Sequence, residues 1–167
     1  MKKLITVGCL LAALIIGVIY ARRTSPLFNL LFQPSDKYVP LAVKEVDLSK
    51  QGLKIQLPFK TKYPGSHQLD LEVEKIDFGT PFKGHFILDV CVKNNKNEPI
   101  ISRKVSGPSS SFWGPQKKGF LLQSFVVPEQ IGRGENGIVE VTITTPDANF
   151  ANIYGSAKLA VNKGSDE

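Results

Sequence analysis

The chain has 167 residues and a formal net charge of +6. Four of its 21 basic residues flank an apolar stretch near the N-terminus, so that from Pro26 onward 17 basic residues stand against 15 acidic ones, a net charge of +2. This balance lacks the basic surface that nucleic-acid-binding proteins use, and we therefore expect no nucleic-acid partner.

Leu4 to Tyr20 form an uncharged apolar run. As a helix, these residues would cover roughly 25 Å, close to the hydrocarbon thickness of a bilayer. Lys2 and Lys3 precede the run and Arg22 and Arg23 follow it, which slightly favours a cytoplasmic N-terminus. We predict a single-pass, uncleaved anchor over residues 1–25 in the inner membrane, with the rest of the chain in the periplasm.

Two other interpretations of the N-terminus stay open. A cleaved signal peptide would need small residues before the cut, whereas Val18 to Ala21 are followed at once by two arginines. A lipoprotein would need an apolar core ahead of its cysteine, and most of the run follows Cys9. Cys9 lies inside the run and Cys91 in a predicted strand, so we expect no disulfide between them.

A juxtamembrane linker is predicted over residues 26–36. Its apolar patch at residues 27–32 is too short to span a bilayer and would either lie at the membrane interface or pack on the following domain. The turn at Pro34 to Asp36 marks the start of a single domain over residues 37–163, which leaves a tail at 164–167.

From Tyr38 onward the apolar residues recur with a period of two, which indicates half-buried strands. Residues 54–60 and 69–74, joined by a turn at 63–66, predict a β-hairpin with one solvated face. Residues 86–92 are apolar on both faces and predict a central strand, which a turn at Asn94 to Asn97 connects to the next. Further strands are predicted at 100–105, 120–127, 138–144 and 154–161, with one helical turn at 147–152.

Seven or eight short strands punctuated by 11 prolines and 14 glycines predict an all-β fold. We expect a single antiparallel β-sandwich, immunoglobulin-like or similar, after one N-terminal transmembrane helix.

Few residues in the sequence suggest catalysis. His85, Asp89 and Cys91 share one face of a predicted strand, but His85 and Asp89 would stand roughly 13 Å apart and point in parallel. We interpret Cys91 as a buried small apolar residue. His67 beside a turn could meet His85 across a sheet to bind a metal, but two histidines without a paired carboxylate or cysteine motif are weak evidence for a metal site. We interpret His67 as a surface residue. We predict no enzymatic activity, no catalytic residues, no metal and no cofactor.

Ser106 to Gly119 form the most informative segment, predicted as a long loop. Small and flexible residues there surround an aromatic pair and a basic pair, a composition typical of recognition surfaces. The alternative is that the two rings fold back to plug one end of the sandwich. The predicted partner-binding residues are Phe112, Trp113, Lys117 and Lys118.

The first third of the domain resembles a loosely defined group of bacterial envelope β-sandwich domains that are often encoded near type VI secretion effectors. The resemblance rests on turn and core residues: Val39-Pro40-Leu41, Asp47-Leu48-Ser49, Gly52, Leu57-Pro58-Phe59, Tyr63, and Leu69, Leu71 and Val73. It implies a periplasmic protein that binds and neutralises a toxin without catalysing a reaction.

We therefore expect a membrane-anchored periplasmic binding protein, with an immunity protein against a secreted antibacterial toxin as the leading hypothesis. The alternatives are an accessory subunit of an envelope secretion or pilus assembly, and a sandwich that binds a lipid or a glycan through Trp113.

Overall fold

The computed structural model describes residues 10–11, 13–18, 36, 39–62, 65–76, 81–113, 117–127 and 134–164. The chain divides into two compact units, Met1–Lys37 and Tyr38–Glu167.

In the first unit, residues 10, 11 and 13–18 are helical, and their leucine, isoleucine and valine side chains are exposed. No helix among the described residues is both long and apolar enough to cross a membrane. Much of the predicted membrane segment, Leu4–Tyr20, and nearly all of the predicted linker, 26–36, lie outside the described residues. The anchor therefore stays a prediction.

The second unit is built from β-strands. Its described residues form nine strands and one short helix, α1 (Phe150–Tyr154), which lies between the last two strands. The strands are β1 (Ala42–Val46), β2 (Lys54–Lys60), β3 (Gly65–Val73), β4 (Ile87–Lys93), β5 (Pro99–Val105), β6 (Ser110–Trp113), β7 (Lys118–Val127), β8 (Asn136–Thr145) and β9 (Ala157–Lys163). The prediction of seven or eight strands is therefore too low, because the short strands β1 and β6 carry little apolar alternation.

The nine described strands form two antiparallel sheets with a shared core. The five-stranded sheet has the order β1-β9-β3-β7-β6, and the four-stranded sheet has the order β2-β8-β4-β5. Only β4–β5 and β6–β7 are consecutive strands that pair with each other. The last strand, β9, pairs with β1 and β3, whereas the last strand of an immunoglobulin domain lies beside the one before it. The predicted all-β sandwich is confirmed.

The core forms because each sheet buries one face of its strands. β2 alternates buried and exposed residues along its whole length, and β8 buries Val139, Val141 and Ile143 in the same way. Residues from both sheets join one cluster of buried apolar side chains. At about 25 cal/mol for each Å² of apolar surface removed from water, this burial is the main stabilising contribution.

The predicted hairpin of β2 with β3 is wrong. β2 pairs with β8, placing Ile55 opposite Val141, while β3 lies in the other sheet between β7 and β9. The chain therefore crosses between the sheets after β2. Apolar alternation shows which side of each strand is buried, but it does not show which strand lies beside it. Two strands in facing sheets have the same alternation as two strands paired in one sheet.

The predicted turn at Asn94 to Asn97 is confirmed, and it joins β4 to β5 in a hairpin. Asn97 has a φ of 64°, a left-handed conformation that asparagine tolerates better than most residues. The side-chain oxygen of Asn94 accepts hydrogen bonds from the backbone N–H groups of Lys96 and Glu98, each at 2.9 Å. β4 lies between β8 and β5, as its apolar pattern predicts.

Cys91 is half-buried on the solvated face of the four-stranded sheet, opposite Glu140 and Ser102. The interpretation of Cys91 as a buried core residue is therefore wrong. The core-facing positions of β4 are Leu88, Val90 and Val92, and Cys91 has the opposite parity. Glu140 beside it accepts from Gln56 at 2.7 Å and pairs with Lys93 at 2.5 Å, so this face is polar.

Candidate functional site

The strand at the centre of the five-stranded sheet, β3, carries polar side chains on its far side from the core. Its core-facing residues are His67, Leu69, Leu71 and Val73, all buried. The alternating residues point to the opposite side of the sheet, which we call the outer face. They are Gln68, Asp70 and Glu72.

Two amide side chains hold the carboxylate of Asp70. Gln68 Nε2 donates to Asp70 Oδ2 at 2.8 Å, and Asn162 Nδ2 donates to the same oxygen at 2.6 Å. Asn162 lies directly opposite Gln68 on β9, which places both amides beside Asp70 on the outer face. We call Gln68, Asp70 and Asn162 the Asp70 cluster.

Asp70 is 2% exposed, which is unusual for a carboxylate on the outer side of a sheet. Its cross-strand neighbours are Ala160, which is fully buried, and Leu121 on β7. Burial raises the pKa of Asp70 above its ordinary value, the hydrogen bonds from Gln68 and Asn162 oppose that rise, and Glu72 adds to it. Oδ1 of Asp70 and Oδ1 of Asn162 are buried and have no hydrogen-bond partner among the described residues.

Two residues along β3 from Asp70, the sequence-predicted residues Phe112 and Lys117 both lie on the outer face. Phe112 lies opposite Gly119, and Gly119 lies opposite Glu72, so the three form one row across β6, β7 and β3. Phe112 is half-buried and is not part of the described core cluster. Lys117 Nζ lies 3.5 Å from Glu72 Oε1, which makes an ion pair at the end of the row.

The structure differs from the predicted loop at Ser106 to Gly119, because residues 110–113 form β6 and pair with β7. The backbone of Trp113 lies opposite Lys118 in this pairing, while the tryptophan side chain lies outside what the structure describes. Lys118 alternates with Gly119 along β7 and so is not on the outer face with Phe112. Lys118 is half-buried. Hydrogen bonds from Ser156 lower the pKa of the Glu74 carboxyl, and the charge of Lys118 adds a smaller contribution.

At Gly119, β7 lies close to the backbone of β3. A methyl group added at Gly119 would lie 2.2 Å from the backbone oxygen of Leu71 and 2.9 Å from Cα of Glu72. Both are backbone atoms, which cannot rotate away. Glycine is therefore required for the two strands to pair at this row.

The two histidines occupy different surroundings. His67 is fully buried, its ring is 6.0 Å from that of Phe125, and its Nδ1 lies 2.9 Å from the carbonyl oxygen of Gly65. The interpretation of His67 as a surface residue is therefore wrong. It has the same parity as Leu69 and Leu71, and an imidazole can bury its ring while one nitrogen is hydrogen-bonded.

His85 lines an open cleft of about 480 Å³ at one end of the sandwich. Its backbone N–H donates to Asp147 Oδ2 at 2.8 Å. The cleft is lined by Phe82, Gly84, His85, Phe86, Ile87, Ser106, Gly107, Pro108 and Thr145.

Phe82 closes this end of the sandwich. Its ring stacks on that of Tyr154 at 5.7 Å and meets the edge of Phe120 at 4.8 Å. The Tyr154 hydroxyl accepts a hydrogen bond from the backbone N–H of Lys83 at 2.7 Å. Phe86 and Phe150 add two more rings to this cluster.

These observations define the described domain as a two-sheet antiparallel β-sandwich. Within the described ranges, no three histidine, cysteine, aspartate or glutamate residues lie close enough to hold a metal ion. No protein-family model matches the chain. No curated protein matches it either.

The fold is similar to a solved crystal structure of a protein from Sulfurospirillum deleyianum. The likeness has a TM-score of 0.51 at 9% sequence identity and covers 74% of this chain and 96% of that one. At this level of identity the similarity concerns the fold alone.

Sequence reasoning missed the Asp70 cluster, because Asp70 has the position of a solvated residue in the predicted hairpin. One signal was available. Leu159, Ala160 and Val161 are consecutive apolar residues in β9, a pattern of strands covered on both faces. A strand beside β9 would then be expected to bury some of its polar side chains, but the sequence does not reveal that this strand is β3.

Proposed function

We propose that this protein is a non-catalytic binding protein whose β-sandwich contacts a protein partner through the outer face, at Phe112 and Lys117. The observation that carries the proposal is the row at the sheet edge, where the strand register places half-buried Phe112 on the same face as a lysine–glutamate pair. Aromatic rings flanked by charged groups supply much of the binding energy in protein interfaces.

The nature of the partner follows from the sequence rather than from the site. The apolar run at Leu4 to Tyr20 would hold the domain at the periplasmic side of the inner membrane, where a secreted antibacterial toxin would act. We propose an immunity protein that neutralises such a toxin. An accessory subunit of an envelope assembly is the second candidate, and it would co-purify with several membrane proteins instead of one soluble partner.

A competition assay tests the immunity function. Cells that lack the protein should become sensitive to attacking kin, and the wild-type chain should restore their protection. Phe112→Ala and Lys117→Ala should each fail to restore it, with unchanged expression and melting temperature, because neither side chain belongs to the described core. Lys104→Ala, at an exposed position on β5, is the matched control and should protect fully. Survival of the deletion strain in every competition would exclude toxin immunity.

The topology is tested separately. A periplasmic reporter enzyme fused after Glu167 should be active if the domain lies outside the inner membrane. An inactive reporter in a stably produced fusion would contradict both the orientation and the toxin hypothesis.

A further inference from the structure

The Asp70 cluster contains two acceptor oxygens that receive no hydrogen bond from the described residues. The amide groups of Gln68 and Asn162 both donate to Asp70 Oδ2. Oδ1 of Asp70 and Oδ1 of Asn162 remain buried, and the part of the chain that the structure describes offers them no donor. Buried polar atoms are nearly always paired, so two orphaned oxygens at one place indicate a missing group that donates hydrogen bonds.

The Asp70 cluster is also acidic. Asp70 has no ion pair among the described residues, and Glu72, the next residue on the same side of β3, is a second carboxylate. Lys117 pairs with Glu72, and Lys158, which lies opposite Glu72 on β9, is exposed. A donor that also carries positive charge would therefore complement the cluster both in hydrogen bonding and in charge.

We infer that the Asp70 cluster is a binding site for a guanidinium group, supplied by an arginine of the protein partner. A guanidinium presents parallel N–H donors in a rigid plane, which suits two neighbouring acceptor oxygens better than the point charge of an ammonium. The inference rests on the proposed function, since it places the arginine in a partner that covers the outer face.

Entry of the ligand requires a rearrangement of side chains that begins at Gln68. Both orphaned oxygens are shielded from solvent, but Gln68, whose amide lies on Asp70, is only half-buried. A glutamine side chain can rotate outward without disturbing the backbone pairing of β3. The guanidinium would then replace the Gln68 amide as a donor to Asp70 and reach Oδ1 as well.

The test uses the full chain and a defined probe. The probe is the acetylated and amidated peptide Gly-Gly-Arg-Gly-Gly, and its control contains citrulline, which keeps the planar donors and lacks the charge. Side-chain amide NMR signals of Gln68 and Asn162 report binding directly. We expect saturable shifts with the arginine peptide and binding about tenfold weaker with the citrulline peptide. Equal affinity for the two peptides, or no saturable shift, would overturn the inference.

Two variants test the assignment to Asp70 in opposite directions. Asp70→Asn should weaken binding of the arginine peptide by about tenfold or more, because it replaces the charged acceptor by an amide. Gln68→Ala should strengthen binding, since the peptide no longer displaces an amide. Asp89→Asn is the matched control, as Asp89 is an exposed carboxylate on the four-stranded sheet, and it should leave binding unchanged.

If Asp70→Asn does not fold, Gln68→Ala provides the test of the site. Unchanged or weaker binding of the arginine peptide by Gln68→Ala would refute the site. Failure of the site is distinct from failure of the proposed function. Loss of protection by Phe112→Ala together with absent peptide binding would leave the outer face as the partner surface and refute only the guanidinium site. Peptide binding together with full protection by Phe112→Ala and Lys117→Ala would refute the proposed contact at Phe112 and Lys117 and keep the site.

Discussion

Replacing Gly119 by alanine should weaken the pairing of β7 with β3 more than any other single methyl group added on the outer face. The added carbon would lie 2.2 Å from the backbone oxygen of Leu71, whereas non-bonded heavy atoms in contact are about 3.5 Å apart. The two strands must therefore separate by about 1 Å at this row. Because β6 is attached only to β7 among the described strands, the separation also displaces Phe112.

The size of the effect can be estimated from three contributions. Overpacking against rigid atoms costs about 3 kcal/mol. Lengthening one hydrogen bond between the strands costs about 1 kcal/mol. Alanine recovers about 1 kcal/mol, since glycine is the poorer strand residue. The free energy of unfolding should therefore fall by about 3 kcal/mol, which lowers the melting temperature of a domain of about 130 residues by about 10 °C.

Thermal and urea unfolding of the full chain, followed by circular dichroism, measure this change. Gly52→Ala is the matched control: Gly52 has a φ of 75°, and a methyl group there meets no atom within 4 Å, so only the left-handed backbone costs about 1 kcal/mol. If Gly119→Ala were as stable as Gly52→Ala, the close approach of β7 to β3 would not constrain the domain and our reasoning would be wrong.

Three further changes have defined outcomes. Asp70→Asn should stabilise the domain relative to wild type increasingly as the pH rises from about 4 to 7, because a carboxyl with a raised folded-state pKa stabilises the fold only while protonated. Urea unfolding at several pH values checks this, and a difference that is constant with pH would contradict it. Tyr154→Phe should cost about 1 kcal/mol by removing the acceptor for Lys83, measured by the same unfolding curves, and no loss would mean that water replaces the hydroxyl. Leu159→Ala, at a fully buried position, should cost about 2–5 kcal/mol, and a loss below about 1 kcal/mol would show that the site collapses around the smaller residue.

Alternation of apolar residues was sufficient to find the long strands of the domain. β2, β4, β7 and β8 all lie where the period of two predicts them, and the asparagine turn after β4 forms the expected hairpin. The pairing of β2 with β8 could not be predicted, because hydrogen bonding between strands about 80 residues apart produces no pattern in the local sequence. β6 was missed because four residues with two serines have no clear alternation.

The candidate site was predictable only in part. The unusual composition around Phe112 and Lys117 predicted a partner-binding segment, and the structure places both residues on the outer face. The Asp70 cluster was hidden, because its residues come from β3 and β9 and are 92 positions apart in the case of Asp70 and Asn162. Each looks like an ordinary solvated polar residue until the two strands are known to be neighbours.

The pairing of the earliest strands with the latest ones has a consequence for folding during synthesis. β1 and β2 find their partners in β9 and β8, so neither sheet can be completed before the ribosome has made almost the whole domain. Domains with such distant contacts fold slowly, in milliseconds to seconds. Until β9 docks, the edges of β1 and β3 remain open to pairing with other chains. Docking of β9 therefore removes two strand edges through which the unfinished domain could aggregate.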